Sequence, residues 1–190
     1  SPNPNSQTYR GPEPFSEPET RTMRDFVLAH DFVFAQNYHT FSNLLIYPWA
    51  YNNQLADPSL AIFGKLFTRE NHYKTGTSIE TVGYNVNGNS DDWIYAVGGA
   101  HSFTPEVGTT GFWPQPDEID DLNRENVWQN LSTALCALRF GEVADKSPNY
   151  YSTLTPNIAV ELTRYGFEDG DFQVTLTPLT ANIIGLDPNT

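Results

Sequence analysis

The chain has 190 residues, of which 38% are hydrophobic and 14% aromatic, and its formal net charge is −13. This length accommodates one medium-sized domain, or one domain and part of another. The many Phe, Tyr and Trp side chains predict a packed core and exclude a largely disordered chain. The acidic balance argues against a nucleic-acid partner, and no apolar run has the roughly 20 residues of a membrane span.

The first half of the chain combines helices with short apolar strands. Residues 1–15 are polar and rich in Pro and Asn, which predicts a surface loop. A capping sequence that begins at Ser16 predicts a helix that ends near residue 30. The elements predicted after it are strands at residues 32–34 and 44–47 and a helix at residues 56–72.

The second half begins with a long polar loop. Residues 76–92 hold many Gly, Asn and Ser, and a loop of this length is usually functional. A short strand then leads into Glu106, and an amphipathic helix is predicted at residues 117–139. The apolar face predicted for this helix consists of Val127, Leu131, Leu135 and Leu138. Cys136, the single cysteine, is expected to be buried and inert.

The sequence pattern at the end of the chain predicts a β-rich appendage. Apolar and polar residues alternate near residues 158–162 and again at Phe172, Val174 and Leu176, and residues 168–171 between them predict a hairpin turn. We therefore divide the chain into residues 1–142 and residues 143–190. Two or three strands are marginally stable alone, so the second part needs a partner surface or further strands.

Four sequence segments, in a fixed order, carry the functional interpretation. They are residues 5–19, residues 38–49 around His39, a segment that begins at Tyr84, and residues 103–108 around Glu106. Their order and spacing, including the 22 residues from Tyr84 to Glu106, resemble the carboxypeptidase A-like zinc peptidases, or funnelins. The resemblance covers residues 5–140. It implies the C-terminal half of a catalytic domain, followed by the start of an accessory β-domain.

The resemblance also implies a fold and the roles of four residues. The fold is an α/β domain with three layers and a mixed, mostly parallel sheet. His39 corresponds to the third zinc ligand, and Glu106 to the general base and acid that serves a zinc-bound water. Tyr84 corresponds to the residue whose loop closes over the substrate. Asp91 occupies the floor of the pocket for the last substrate side chain, where an acid favours Lys or Arg.

The chain departs from this family at the metal site. The family's first two zinc ligands come from a His-x-x-Glu motif, which follows none of the histidines here: His30, His39, His72 and His101. One imidazole cannot hold zinc, because catalytic sites normally have three protein ligands. We therefore expect a fragment that is inactive alone and is completed by an N-terminal half or a second copy. Apart from His39, the histidines match no family ligand and are expected to be structural.

The expected function is that of a zinc metallocarboxypeptidase, which removes C-terminal residues from peptides or proteins. By resemblance, the parent enzyme is secreted or periplasmic, with zinc as its cofactor. Two alternatives stay open. One is a non-catalytic interaction module that has kept the scaffold and lost the metal. The other is an acidic module that binds sugars or peptides through exposed aromatics, with Trp49, Trp93 and Trp113 as candidates.

Overall fold

The computed structural model describes residues 1–148 and 157–175. Over these ranges the chain forms a four-stranded sheet with helices packed against it, and a two-stranded sheet near its end. In chain order the elements are α1 (Pro18–Leu28), β1 (Phe34–Gln36), β2 (Leu44–Ile46), α2 (Pro58–Phe67), β3 (Lys74–Gly76), α3 (Ser78–Thr81), α4 (Ser90–Trp93), a π-helical turn (Ile94–Gly98), β4 (His101–Glu106), a 3₁₀ turn (Pro116–Glu118), α5 (Ile119–Glu125), α6 (Val127–Ala137), β5 (Gly141–Asp145) and β6 (Val160–Arg164).

The four-stranded sheet has the order β1-β4-β2-β3. β1 is parallel to β4 and β2 is parallel to β3, whereas β2 and β4 are antiparallel. The sheet is therefore mixed, with two parallel pairings of three, which confirms the predicted α/β fold class. β3 lies between the helix predicted at residues 56–72 and the loop predicted from residue 76, and its three residues are too few to leave an alternating pattern in the sequence.

Side chains from the two faces of the sheet enter two separate cores. On β1, Phe34 packs against the cluster that α2, α6 and the centre of the sheet form. Its neighbour Ala35 packs against a cluster of Val27 from α1, Ile94 from the π-helical turn, and Ala100, which immediately precedes β4. Since successive strand residues point to opposite faces, the sheet lies between two helical layers. None of the helices in the described ranges is both long and apolar enough to cross a bilayer.

The helix predicted at residues 117–139 is interrupted at Asn126. The side-chain amide of Asn126 donates to the carbonyl of Leu122 at 2.8 Å and to the hydroxyl of Tyr73 at 3.1 Å. Asn126 has φ −96° and ψ 0°, and it separates α5 from α6. A buried amide that bonds both to α5 and to Tyr73 outside it therefore ends α5, where the periodicity alone predicted continuity.

Three of the four residues on the predicted apolar face of this helix are exposed and the fourth, Leu135, is half-buried, which corrects the sequence-based prediction. Val127, Leu131 and Leu138 are 59%, 50% and 58% exposed. The buried residues of α6 are Gln129, Ser132 and Cys136. Gln129 is held there because its side-chain amide donates to Gln36 Oε1 at 3.3 Å and to Tyr38 Oη at 3.2 Å. Cys136 is buried as expected, and burial raises the pKa of its thiol to about 12.

The predicted terminal hairpin is also wrong in its pairing. β6 pairs antiparallel with β5, and residues 171–175 form no strand in the described part, while Leu176 lies outside the described residues. After β6 the chain turns back to the end of α6, where the Phe167 amide donates to the Cys136 carbonyl at 2.9 Å. The Phe167 ring lies 4.9 Å from the His101 ring and 5.5 Å from Phe34. These contacts anchor the chain to the core and replace the expected turn.

We predict that truncation of a buried side chain in β4 destabilises the protein more than truncation of an exposed side chain in α6. Phe103→Ala should lower the free energy of unfolding by roughly 3–5 kcal/mol, because Phe103 is fully buried in the centre of the sheet. Leu131→Ala should change it by less than about 1 kcal/mol, since this side chain is half exposed. Urea unfolding followed by circular dichroism measures both values. Equal losses for the two variants would contradict the arrangement of α6 described above.

Candidate functional site

The site begins with the pairing of two neighbouring strands beyond the end of β1. The Asn37 amide donates to the Phe103 carbonyl at 2.9 Å and the His39 amide to the Pro105 carbonyl at 2.8 Å. The Val107 amide then donates to the His39 carbonyl at 3.0 Å. These bonds extend the parallel ladder of β1 and β4, and they make His39 and Glu106 a bridged pair. Two candidate residues, 67 positions apart in the sequence, are thus neighbours at the ends of adjacent strands.

Glu106 is half-buried and its environment favours the neutral carboxyl. Burial raises the pKa of Glu106, and the nearby His39 partly offsets this effect. His39 itself is exposed. A carboxylate whose pKa lies above the ordinary value is a stronger base, while the neighbouring imidazole still stabilises its charged form. The pair can therefore accept a proton at Glu106 next to an accessible nitrogen ligand.

The loop after His39 is fastened to the end of β4. The amides of Ser42 and Asn43 both donate to the Gly108 carbonyl, at 2.7 and 3.2 Å. Both residues have positive φ, and the peptide bond between Thr40 and Phe41 is cis. The side-chain oxygen of Asn43 is buried without a hydrogen-bond partner within the described residues. This loop fixes the chain on both sides of His39 relative to Glu106.

Asp91 lies in α4 and is fully buried beneath the sheet face that carries the pair. Its Oδ1 accepts hydrogen bonds from Asn37 Nδ2 at 2.8 Å and Ser102 Oγ at 2.9 Å, and its Oδ2 accepts one from Thr104. Burial raises the pKa of Asp91, and these three donors oppose that effect. Asp91 therefore belongs to a polar network that joins α4 to both strands of the site.

Sequence reasoning missed the three donors of this network. Ser102 and Thr104 precede Glu106 at intervals of two, and Asn37 precedes His39 by the same interval. Because strand side chains alternate, these spacings place them on the same face as the candidate pair. Polar residues at every second position of an otherwise apolar strand were the available signal. The candidate site residues thus lie on the polar face of each strand.

Tyr84 is 61% exposed, and the structure does not bring its side chain into the network around Asp91. The Ser78 hydroxyl donates to its carbonyl at 2.9 Å, and the Val86 amide donates to the Ala50 carbonyl at 2.8 Å. Gly83 and Gly88 on either side have φ of +84° and +78° with open space around their Cα atoms. The segment is therefore an exposed loop with two permissive positions and two backbone tethers.

Zinc requires more ligands than these residues provide. Among residues 1–148 and 157–175, no group of three or more His, Cys, Asp and Glu side chains is arranged to hold a metal ion. His39 provides one nitrogen, and Glu106 lies beside it. A catalytic zinc site normally has three protein ligands, so the described residues do not fit zinc by themselves.

We predict that Asp91 is essential for the stability of this region. Asp91→Ala should lower the free energy of unfolding by roughly 2–5 kcal/mol, because it leaves three donors without their acceptor. Asp117→Ala, which truncates an exposed aspartate of the 3₁₀ turn, is the matched control and should change stability little. Thermal unfolding compares the two. Similar melting temperatures for both variants would refute the buried network.

Comparison with known proteins agrees with this geometry. The profile of the family described as zinc carboxypeptidase matches residues 1–129. Carboxypeptidase A1 of Rattus norvegicus is 36% identical over 122 residues, which cover 58% of this chain and 28% of that protein. Carboxypeptidase B of Astacus astacus is 34% identical over 122 residues, covering 58% of this chain and 40% of that protein.

Comparison with a solved structure shows a similarity in fold to a related protein. Bovine thrombin-activatable fibrinolysis inhibitor, in complex with tick carboxypeptidase inhibitor, aligns with a TM-score of 0.63 and 26% identity. The alignment covers 71% of this chain and 50% of that one, so the chain spans half or less of these relatives. The shared fold, with the family profile over most of the length, shows that the chain belongs to the zinc carboxypeptidase family.

Proposed function

We propose that this chain contributes to the active site of a zinc-dependent metallocarboxypeptidase that removes C-terminal residues from peptides or proteins. The observation that supports the proposal is the bridged pair of His39 and Glu106. We assign residues 1–142 to the catalytic scaffold and residues 143–190 to an accessory β-rich segment. By analogy with the family, we expect the protein to be secreted or periplasmic.

Glu106 is the proton carrier in this proposal. Its carboxylate takes a proton from the attacking water and gives it to the amine that leaves when the peptide bond breaks. Partial burial, which raises the pKa of Glu106, strengthens it as a base for the first transfer. The same raised pKa keeps the acquired proton available for the second transfer. His39 contributes an imidazole next to this carboxylate.

Tyr84 and Asp91 bind the substrate in this proposal. The exposed loop that carries Tyr84 closes over the end of the peptide, and its hydroxyl donates to the substrate. Asp91 selects a cationic last side chain from beneath the site. Its three donors occupy Oδ1 twice and Oδ2 once, and the side chain is fully buried, so Lys or Arg reaches Oδ2 only after the residues that cover Asp91 move apart.

The metal site is incomplete within the described residues, so we derive no step through zinc from this chain. The proposed activity therefore belongs to an assembled catalytic domain, and the chain alone is inactive. The same incompleteness supports a second candidate, a non-catalytic module that binds peptide ends on this scaffold. A role for the three candidate tryptophans in binding sugars has less support, because Trp49 packs against Tyr95 and Trp93 against Phe15, which leaves Trp113, 91% exposed, as the candidate for such contacts.

The first functional prediction concerns Glu106. In the polypeptide that its gene encodes, Glu106→Gln should reduce kcat for hydrolysis of a peptide's last bond by roughly 10²–10⁴-fold, because the proton carrier is lost. Glu13→Gln, at an exposed position in the N-terminal loop, is the matched control and should leave kcat unchanged. Assays use a short peptide with a free C-terminus, and both variants are checked for normal folding.

Two results separate the candidates. Full activity in Glu106→Gln would refute the proposed enzyme. Binding of the same peptide without hydrolysis, in the presence of added zinc, would favour the non-catalytic module.

The second functional prediction concerns Asp91 and pH. The preference for a terminal Arg over a terminal Leu should strengthen as the pH rises through the raised pKa of Asp91, because only the carboxylate attracts the cation. The ratio of kcat/KM values between about pH 4 and pH 8 measures this preference. In Asp91→Asn, which keeps the size of the side chain, the ratio should fall roughly tenfold or more and lose its pH dependence. A wild-type enzyme that prefers terminal Leu or Phe would contradict the assignment.

A further inference from the structure

The loop that carries Tyr84 contains three asparagines at every second position, namely Asn85, Asn87 and Asn89. Asparagine is a thermolabile residue, because the backbone nitrogen of the residue that follows it can attack its side-chain amide. The attack requires a side-chain amide that is free to move. It also requires that the following N–H is not engaged in a hydrogen bond and is not crowded by its own side chain. The three asparagines differ in these requirements.

Two of the asparagines are protected by hydrogen bonds. Asn85 precedes Val86, whose amide donates to the Ala50 carbonyl at 2.8 Å and whose β-branched side chain crowds that amide. Asn89 is the N-cap of α4, and its Oδ1 accepts a hydrogen bond from the Asp91 amide at 3.2 Å. In the first case the attacking nitrogen is engaged, and in the second the side-chain amide itself is held.

Asn87 has neither form of protection. It is exposed, and with Gly88 it forms the only Asn-Gly pair in the sequence. Within the part of the chain that the structure describes, no hydrogen bond engages the Asn87 side chain or the Gly88 amide. Gly88 has φ +78°, and a Cβ built there would meet no atom within 4 Å. Asn87 therefore combines a free side-chain amide with an unhindered backbone nitrogen in a residue that is conformationally permissive.

We propose that Asn87 is a modification site at which the chain deamidates spontaneously. The backbone nitrogen of Gly88 loses its proton to the solvent and forms a bond to Cγ of Asn87. The bond between Cγ and Nδ2 then breaks, and Nδ2 takes up a proton and leaves as ammonia. The product is a cyclic succinimide, which water opens at either of its two carbonyls to leave aspartate or isoaspartate at position 87. The net reaction consumes one water molecule and releases one ammonia molecule.

Both products alter the loop between Tyr84 and α4. Aspartate adds a negative charge to a chain whose formal charge is already −13. Isoaspartate also lengthens the backbone, because the chain then continues through the former side chain. The site lies between the bond from Val86 to Ala50 and the cap at Asn89, so the change falls on a short span that is held at both ends. The reaction needs only water, so it does not depend on the function proposed above.

The experiment incubates the purified chain at neutral pH and follows each asparagine by peptide mapping and mass spectrometry. Exchange of NH₂ for OH increases the mass by about 1 Da, and chromatography separates isoaspartate from aspartate. A synthetic peptide of residues 83–93 gives the rate without the fold. We expect Asn87 to deamidate in the chain within about threefold of its rate in the peptide, because no local opening is required. The rate should rise with pH, since the attacking nitrogen must lose its proton.

Asn89 provides the contrast within the same loop. It should deamidate roughly fivefold or more slowly in the chain than in the peptide, because its bond to the Asp91 amide must break first. Asn85 should also remain intact for longer than Asn87. The order of rates within one sample therefore tests the environments of the three side chains.

Three variants make the result specific. Gly88→Ala should slow the reaction at Asn87 by roughly fivefold or more, because a Cβ crowds the nitrogen and disfavours the positive φ. Asn87→Gln should abolish it, since the attack would then have to close a larger ring. Asn85→Gln, in the same loop, is the matched control and should leave the rate at Asn87 unchanged.

Three outcomes would overturn the proposal. One is a rate at Asn87 that is tenfold or more lower in the chain than in the peptide, because the fold then protects this side chain. Another is a rate at Asn85 or Asn89 in the chain that equals or exceeds the rate at Asn87. The third is an unchanged rate in Gly88→Ala, because the backbone nitrogen of Gly88 is then not the attacking group.

Discussion

The parallel pairing of β1 with β4 is the constraint on which the site depends. Its last two hydrogen bonds, to and from the backbone of His39, are 2.8 and 3.0 Å long. They fix the register of the two strands, and a slip by one residue would turn every side chain to the other face. The same register that packs Phe34 and Phe103 into one core brings His39 beside Glu106. The packing energy of the core therefore also positions the candidate catalytic residues.

The dependence of the site on strand pairing explains which parts of the site could be predicted from the sequence. The pairing of His39 with Glu106 was predictable because the spacing of four segments matched a known family. The network of Asp91 was not predicted, although Asn37, Ser102 and Thr104 stand at the intervals of a strand. A buried polar group is identified by its partners, and partners so far apart in sequence meet only after the strands have paired. The residue types were visible, but their contacts depend on the tertiary fold.

The errors on α6 and on the terminal hairpin have a related origin. Periodicity correctly indicated an amphipathic helix, but it assigned the core to the apolar stripe. The structure buries the opposite side, where Gln129 bonds to Gln36 and Tyr38. For the hairpin, alternation identified the strand at β6 but not its partner, because the contact of Phe167 with His101 and Phe34 holds the following chain elsewhere. A local sequence pattern predicts that a helix or strand has an apolar face and a polar face. Which of the two faces is buried depends on the elements that pack around it.

Three features of the described residues leave bonding or burial incomplete. β1 is the last strand of the described sheet, Val127, Leu131 and Leu138 are exposed, and His39 lines a cavity of about 540 Å³ next to α5 and α6. Within the described part of the chain, the open edge of β1 lacks hydrogen-bond partners, and the exposed apolar side chains lack burial. Among the same residues, His39 lacks the further ligands that a metal site needs. Each of these three deficits has a separate physical origin. A further strand paired with β1 would satisfy only the first, because burial of apolar side chains and ligation of a metal require side chains that a backbone ladder does not supply.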